Sequence, residues 1–273
     1  MDSQEDRILF FRQLGFHPYT EYGCIGSPAT PFAENSSADI WFDGAVSDQP
    51  SQITRKLFPH QLKSLGDMER FERKELVDLS YAHPNPSRPY ARYSQYGGHI
   101  NIDLNRRSLK RMFGLQADPV GYGKTLSVVA LIARDNMEWN METPYILSRT
   151  VDSGMMSWTY QTTLKRVNTT IVLASLSCID QWEKEFAHAP SIKVFVVKTK
   201  KKVDRCTEYL QSNNSSNCDV VLASPSMFKN LMQKNKNVAW KRFVFDEPAN
   251  LKIPKMPAVV AGFTWFVCAT PRS

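Results

Sequence analysis

The stretch Gly121-Tyr122-Gly123-Lys124-Thr125 constrains this chain more than any other part of it. It follows an apolar run at 112–117 and passes directly into an apolar helical pattern at 126–134. A strand, a glycine turn and a helix in that order aim backbone N–H groups of the helix start at one point, where an anion is held. Glycines let the main chain wrap phosphates, a lysine reaches the outer phosphates, and a Ser or Thr hydroxyl serves Mg²⁺. Gly121, Gly123, Lys124 and Thr125 supply all three, so the pattern predicts a phosphate-binding loop. Asp118 stands where the general pattern has its first glycine.

Around this loop the chain alternates short apolar runs with helical or polar stretches. Runs at 112–117, 170–174, 194–197, 220–223, 243–245 and 265–269 are nearly continuous in apolar residues, without polar alternation. Such strands are buried on both faces, and helices between them imply a parallel sheet. The fold class is therefore α/β. Leu62, Leu65, Met68 and Phe71 repeat at helical spacing and predict a helix over 59–79. Residues 1–50 read as an N-terminal extension, with helical pattern only at 7–14, and 51–273 as the main lobe. Loss of periodicity at 87–103 and at 137–166 marks two insertions.

A second constellation follows Phe243-Val244-Phe245, where the run ends in Asp246-Glu247-Pro248-Ala249. Two carboxylates at the end of a strand divide labour well: Asp246 in the Mg²⁺ shell, Glu247 polarising the attacking water. The strand carrying the loop is expected next to that of Asp246.

Composition removes several classes. The 273 residues include 34 Lys plus Arg and 27 Asp plus Glu, a net charge of +7 that suits phosphate-bearing partners. Five cysteines, an odd number with no Cys-x-x-Cys pair, argue against a zinc ribbon and against a disulfide framework. An acidic start, Met1-Asp2-Ser3-Gln4-Glu5-Asp6, does not suit a signal peptide, and the runs at 128–133 and 258–269 are too short or interrupted to span a bilayer. An intracellular protein, not secreted and without a membrane partner, is expected.

Taken together, Gly114-Leu115-Gln116-Ala117-Asp118-Pro119-Val120-Gly121-Tyr122-Gly123-Lys124-Thr125-Leu126 resembles the nucleotide-binding motif of the Swi/Snf-type ATPases of helicase superfamily 2. It is closest in look to the helicase-like proteins of large DNA viruses, and Asp at position 118 is normal in that family. Leu57-Phe58-Pro59-His60-Gln61 is similar to its glutamine motif, and Thr170-Ile171-Val172-Leu173-Ala174-Ser175-Leu176-Ser177, with Gln181-Trp182-Glu183, to its first strand-contacting motif. Asp219-Val220-Val221-Leu222-Ala223-Ser224 looks like the next, and Cys268-Ala269-Thr270 stands where the family has Ser-Ala-Thr. The resemblance covers 57–271 in order. It implies a RecA-like lobe that binds ATP and Mg²⁺, with Gln61 reading adenine and Asp118, Gly121, Tyr122, Gly123, Lys124, Thr125 and Leu126 around the nucleotide. Lys124 and Glu247 are then catalytic, Thr125 and Asp246 serve the metal, and Ser175, Ser177, Ser224 and Thr270 face or report on nucleic acid, with duplex DNA favoured over RNA. Pro248-Ala249 and Cys268 depart from the family pattern, which puts coupling in question.

The family's second RecA-like lobe, with arginine fingers worth about 10³ to 10⁵ in rate, is expected from elsewhere. Residues 57–271 then make a helicase-like ATPase lobe in viral transcription or genome handling. The alternative is a split lobe that binds nucleotide without turnover and acts as an interaction module. A small-molecule kinase would not need Gln61 or the 268–270 motif. Lys198-Thr199-Lys200-Lys201-Lys202 reads as a solvated charge run and Tyr90, Tyr93 and Tyr96 as helix cover, while Arg106-Arg107 and Lys110-Arg111 leave backbone contact open.

Overall fold

In the computed structural model the described residues are 46–73, 76–78, 108–110, 112–152, 157–212, 218–251 and 253–269. Helix α1 (Pro59–Glu72) starts with Pro59 at its first position, where no N–H is needed. Three residues on, Gln61 Oε1 accepts from the Phe58 N–H at 2.9 Å. The helix ends at Glu72, short of residue 79. Residues Leu76–Asp78 (β1) instead pair antiparallel with Ser108–Lys110 (β2). The stretch 87–103 and the segment 7–14 lie outside the described residues.

The main sheet contains β3 (Phe113–Gln116), β5 (Ser157–Leu173), β6 (Val194–Val197), β7 (Val220–Ala223), β8 (Val238–Asp246) and β9 (Ala261–Val267). Their order is β3-β9-β8-β5-β7-β6, and every pair is parallel. This is the expected α/β core. One expectation fails: β9 lies between the loop strand β3 and the Asp246 strand β8, so the two are not adjacent. The site is assembled across an intervening strand.

Successive strand residues point to opposite faces, and both faces are covered. On one side Val172, Leu222, Val244 and Trp265 meet α1, α2 (Lys124–Arg134) and α3 (Leu176–Phe186). On the other, Ile171, Val221, Phe243 and Phe245 meet α4 (Lys200–Gln211) and α5 (Pro225–Lys234). Burial pushes the Cys218 thiol up to about 12 and raises that of Cys206, so both serve as apolar filling.

The expected insertion at 137–166 is a β-arm. Strand β4 (Tyr145–Asp152) pairs antiparallel with β5 from Asp152↔Ser157 to Tyr145↔Leu164, and β5 then continues into the sheet. Because β5 ends at the loop end of the sheet, the arm extends from the opposite end.

Two local features fix the register. Gly114 lies opposite Trp265, and a Cβ there would meet the Trp265 ring at 2.4 Å. Gly114→Ala is expected to destabilise the fold by about 1–3 kcal/mol through overpacking, read as a lower denaturation midpoint; an unchanged midpoint would mean that the ring has room to move. The second feature is a buried ion cluster. Arg242, in the middle of β8, donates through Nε and NH2 to Glu72 of α1 at 2.6 and 2.7 Å and through NH1 to Asp135 at 2.7 Å. Lys241 reaches the other Asp135 oxygen at 2.6 Å, and Trp265 Nε1 donates to Glu72 at 2.9 Å. Burial works against the Arg242 charge, but Glu72 and Asp135 outweigh it and raise its pKa. Among the described residues no helix is long and apolar enough to cross a membrane.

Candidate nucleotide and nucleic-acid site

The loop between β3 and α2 bends through two left-handed glycines, Gly121 (φ 85°) and Gly123 (φ 72°), a conformation in which glycine carries no steric cost. Their surroundings differ. A Cβ on Gly121 would meet nothing within 4 Å, whereas one on Gly123 would sit 2.3 Å from Gln61 Nε2. The loop is thus open in front and buttressed behind. Gly123 caps α2, whose unpaired first-turn N–H groups and positive dipole end face the open side.

The buttress comes from α1. Gln61, 3% exposed, donates through Nε2 to the Gly123 and Tyr122 carbonyls at 3.3 and 3.4 Å, so its amide braces the loop. That is a different engagement from the adenine contact expected of it. His60 Nε2 lies 3.1 Å from the Tyr122 carbonyl, and the two rings stand 5.0 Å apart. The Asp118 carboxylate accepts from Ser64 at 2.9 Å and Gln116 at 3.4 Å, so it ties β3 to α1 and turns away from the cradle. Leu126, 4% exposed, belongs to the core under α2 and not to the ligand surface. In this structure the side chains at 118 and 126, both expected around the nucleotide, hold the loop in shape. Lys124 Nζ donates to the Asp118 and Pro119 carbonyls at 2.9 and 3.2 Å, occupying its own cradle. Thr125, half-buried, follows it in the first turn of α2.

Backbone hydrogen bonds carry the sheet one step past its strands and line up the other site residues. The Cys268 N–H donates to the Gln116 carbonyl at 3.0 Å, and the Glu247 N–H to the Val267 carbonyl at 2.7 Å. Asp246, the last residue of β8, is 8% exposed and lies on the same face as Val244, towards α2 and α3. Burial pushes its carboxyl above the usual carboxylate range; the Trp182 N–H opposes this, Glu247 adds to it, and Lys124 opposes it. Trp182 Nε1 donates to Asp246 Oδ2 at 2.9 Å, and Oδ1 accepts no hydrogen bond from a described residue. Glu247 turns left-handed (φ 47°), and its Oε1 accepts from the Ala269 N–H at 3.1 Å.

Past β5, β7 and β6 the same staircase continues, with Ala174 N–H donating to Ala223 O and Ser224 N–H to Val197 O. Ser175 caps α3, and its hydroxyl lies 2.8 Å from that of Ser177. Ser224 is fully buried and shares a hydrogen bond with Ser226 at 3.2 Å. The exposed hydroxyl beside it belongs to Ser226, the second residue of α5. Lys198 pairs with Asp180 at 2.7 Å, and Lys202 lies over the Phe195 ring. Thr270, Arg106, Arg107, Arg111, Tyr90, Tyr93 and Tyr96 lie outside the described residues. The sequence places Trp182 and Gln116 inside motif strings and leaves Ser64 unmarked, without pointing to the carboxylates they bond, because a side chain in a helix or strand carries no local signal of its partner.

The donor set fits a magnesium nucleotide. An open glycine turn, a helix start, an ammonium and a carboxylate with one oxygen unshared among the described residues lie at one end of the sheet. Mg²⁺ suits such a place, because it binds through one or two protein oxygens plus phosphates and water.

Comparison with known proteins gives the relationship. DNA repair protein rad5 of Neurospora crassa is 24% identical over 212 residues, covering 68% of this chain and 17% of that protein. The Sulfolobus solfataricus SWI2/SNF2 ATPase core in complex with dsDNA aligns with 82% of this chain and 34% of that one, at 18% identity and a TM-score of 0.46. This chain thus spans a minor part of either protein's length. The family model of the SNF2-related domain matches residues 60–259, from the glutamine motif through the phosphate loop to the carboxylate pair. The chain belongs to the SNF2-related domain family.

Proposed function

We propose that residues 51–273 form the ATP-binding lobe of a Swi/Snf-type, nucleic-acid-dependent ATPase that hydrolyses ATP to ADP and phosphate. The observation that carries this reading is the open left-handed glycine turn that leads into α2 at Lys124, set at the same end of the sheet as Asp246 and Glu247 by the backbone hydrogen bonds from Cys268 to Gln116 and from Glu247 to Val267. In it, the 121–123 amides and Lys124 hold the phosphates, and Thr125 and Asp246 hold Mg²⁺. Bound Mg²⁺ neutralises charge across the phosphate oxygens. Glu247 orients the attacking water after leaving the Ala269 N–H. Ser175, Ser177 and Ser226 lie at the starts of α3 and α5 in one row, which suits a phosphate backbone; the track we favour is duplex DNA. A second RecA-like lobe, in the same protein or a partner, supplies the arginine. A place in viral transcription or genome handling inside a host cell rests on the likeness of the motif string alone.

The contact between Glu247 and Ala269 favours one second reading, a lobe that binds nucleotide and waits. The purified chain should turn over ATP with Mg²⁺, faster with duplex than with single-stranded DNA or RNA, and Glu247→Gln should remove that turnover by about 10² or more. Tight binding without turnover selects the waiting lobe, and stimulation by RNA alone overturns the duplex assignment. Absence of ATP binding overturns both.

A further inference from the structure

Trp182 connects two parts of this site that the sequence presents separately. Its indole N–H donates to Asp246 Oδ2 at 2.9 Å, in a contact where the tryptophan is 1% and the aspartate 8% exposed. Burial at this level excludes competing water, so the donor fixes which carboxylate oxygen is taken and which is left. It is the one protein hydrogen bond that Asp246's carboxylate accepts from a described residue. Trp182 also lies on α3, seven residues after Ser175, which caps that helix and shares its hydroxyl with Ser177. Seven residues are about two turns, so the indole stands on the Ser175 face of the helix about 10 Å along its axis. This 11-residue helix packs on α2 and on the sheet and so links its Ser175 end to the indole through one continuous element.

We propose that Trp182 is a positioning residue that holds Asp246 Oδ1 in place for the metal of the nucleotide and conveys to it the position of the helix start at Ser175 to Ser177. This rests on the reading of Asp246 as the metal carboxylate and on that of the 175–177 loop as a nucleic-acid contact. Removing the N–H leaves an ATP site whose phosphates are still cradled but whose metal is loosely held. Outer-shell partners of metal ligands are worth about 10- to 100-fold in metal affinity.

The test is ATP binding by titration calorimetry across a Mg²⁺ series, with duplex DNA absent and present, on the wild type and on Trp182→Phe. The substitution keeps a ring and removes the donor. The expected result is a Mg²⁺ requirement about 10-fold higher or more, with ATP binding in excess chelator unchanged, and a loss of the factor by which DNA and Mg²⁺-ATP alter each other's affinity. That factor must be reciprocal between the two ligands. Phe186→Leu, one turn on and with its ring 6.0 Å from Trp182, loosens the packing without touching Asp246 and should leave the Mg²⁺ series unmoved. Trp182→Phe combined with Asp246→Asn should need no more Mg²⁺ than Asp246→Asn alone. A Mg²⁺ series identical in wild type and a folded Trp182→Phe, or an equal shift in Phe186→Leu, overturns the proposal. A wild type that binds no ATP, or an Asp246→Asn variant with an unchanged Mg²⁺ series, overturns the underlying site reading instead, so the two failures are distinguishable.

Discussion

Lys124→Ala should weaken ATP binding by about 100-fold, equivalent to about 2.7 kcal/mol, while leaving the fold intact. Charge-assisted contact with phosphate supplies the effect, and alanine suits the first turn of a helix. The local cost is small, because the lysine's present partners, the Asp118 and Pro119 carbonyls, lie at a partly exposed loop that water can serve. Nucleotide titration on the variant, with a thermal melt beside it, separates the two consequences. A loss under about threefold with an unchanged melt would mean that the cradle does not hold the outer phosphates.

Glu72→Ala should be the most destabilising single change in the described part of the chain, by about 3–5 kcal/mol. It removes two hydrogen bonds from a guanidinium that is 1% exposed and leaves the Trp265 N–H unpartnered. Asp135 alone then faces Arg242, and it is shared with Lys241. Against a typical total of about 5–15 kcal/mol such a loss is large. Denaturant unfolding reads it directly. Arg242→Met placed on the same background should recover part of the loss, because the buried unpaired charge costs more than the missing pair. If Glu72→Ala costs under about 1 kcal/mol, water reaches the cluster and the burial argument fails.

What could be read before the structure follows from how local each signal is. Strands at 194–197 and 220–223 coincide with the expected residues, because a strand covered on both faces announces itself as an uninterrupted apolar run. The loop and its helix were legible for a similar reason: a glycine pair before Lys-Thr is a demand of backbone geometry within a few residues. The intercalation of β9 was not, since pairing order depends on contacts between distant segments that no periodicity records. The arm at 145–164 was missed because one of its faces carries Ser148, Gln161 and Thr163, whose alternation with scattered aromatics looks like loss of pattern. The end of α1 was overrun because Leu76 and Val77 continue an apolar pattern while pairing as a strand. At the site, residue types spoke for Lys124, Asp246 and Glu247, but the destinations of Asp118, Gln61 and Trp182 side chains depend on what packs opposite them. Chemistry was readable where the backbone sets it and hidden where a neighbour does.

The place of β9 has a consequence for the order in which the molecule can be made. Among the described residues, the strand that joins β3 to β8 is the last of the sheet to be synthesised, and β3 has no other strand neighbour in that sheet. A nascent chain emerging as far as residue 246 already carries the glycine turn, Lys124 and both sides of the β5–β8 pairing, yet the turn is joined to β8 only through the packing of α1 and α2 and the Arg242 cluster, with no strand between. Closing that gap pairs segments more than a hundred residues apart, the kind of long-range step that slows folding. Until it happens, the half-built sheet presents the β8 edge to whatever strand is nearby. The strand register between the glycine turn and the Asp246 end of β8 is thus completed late in biosynthesis, by residues 261–267, which contribute no ligand to the proposed site.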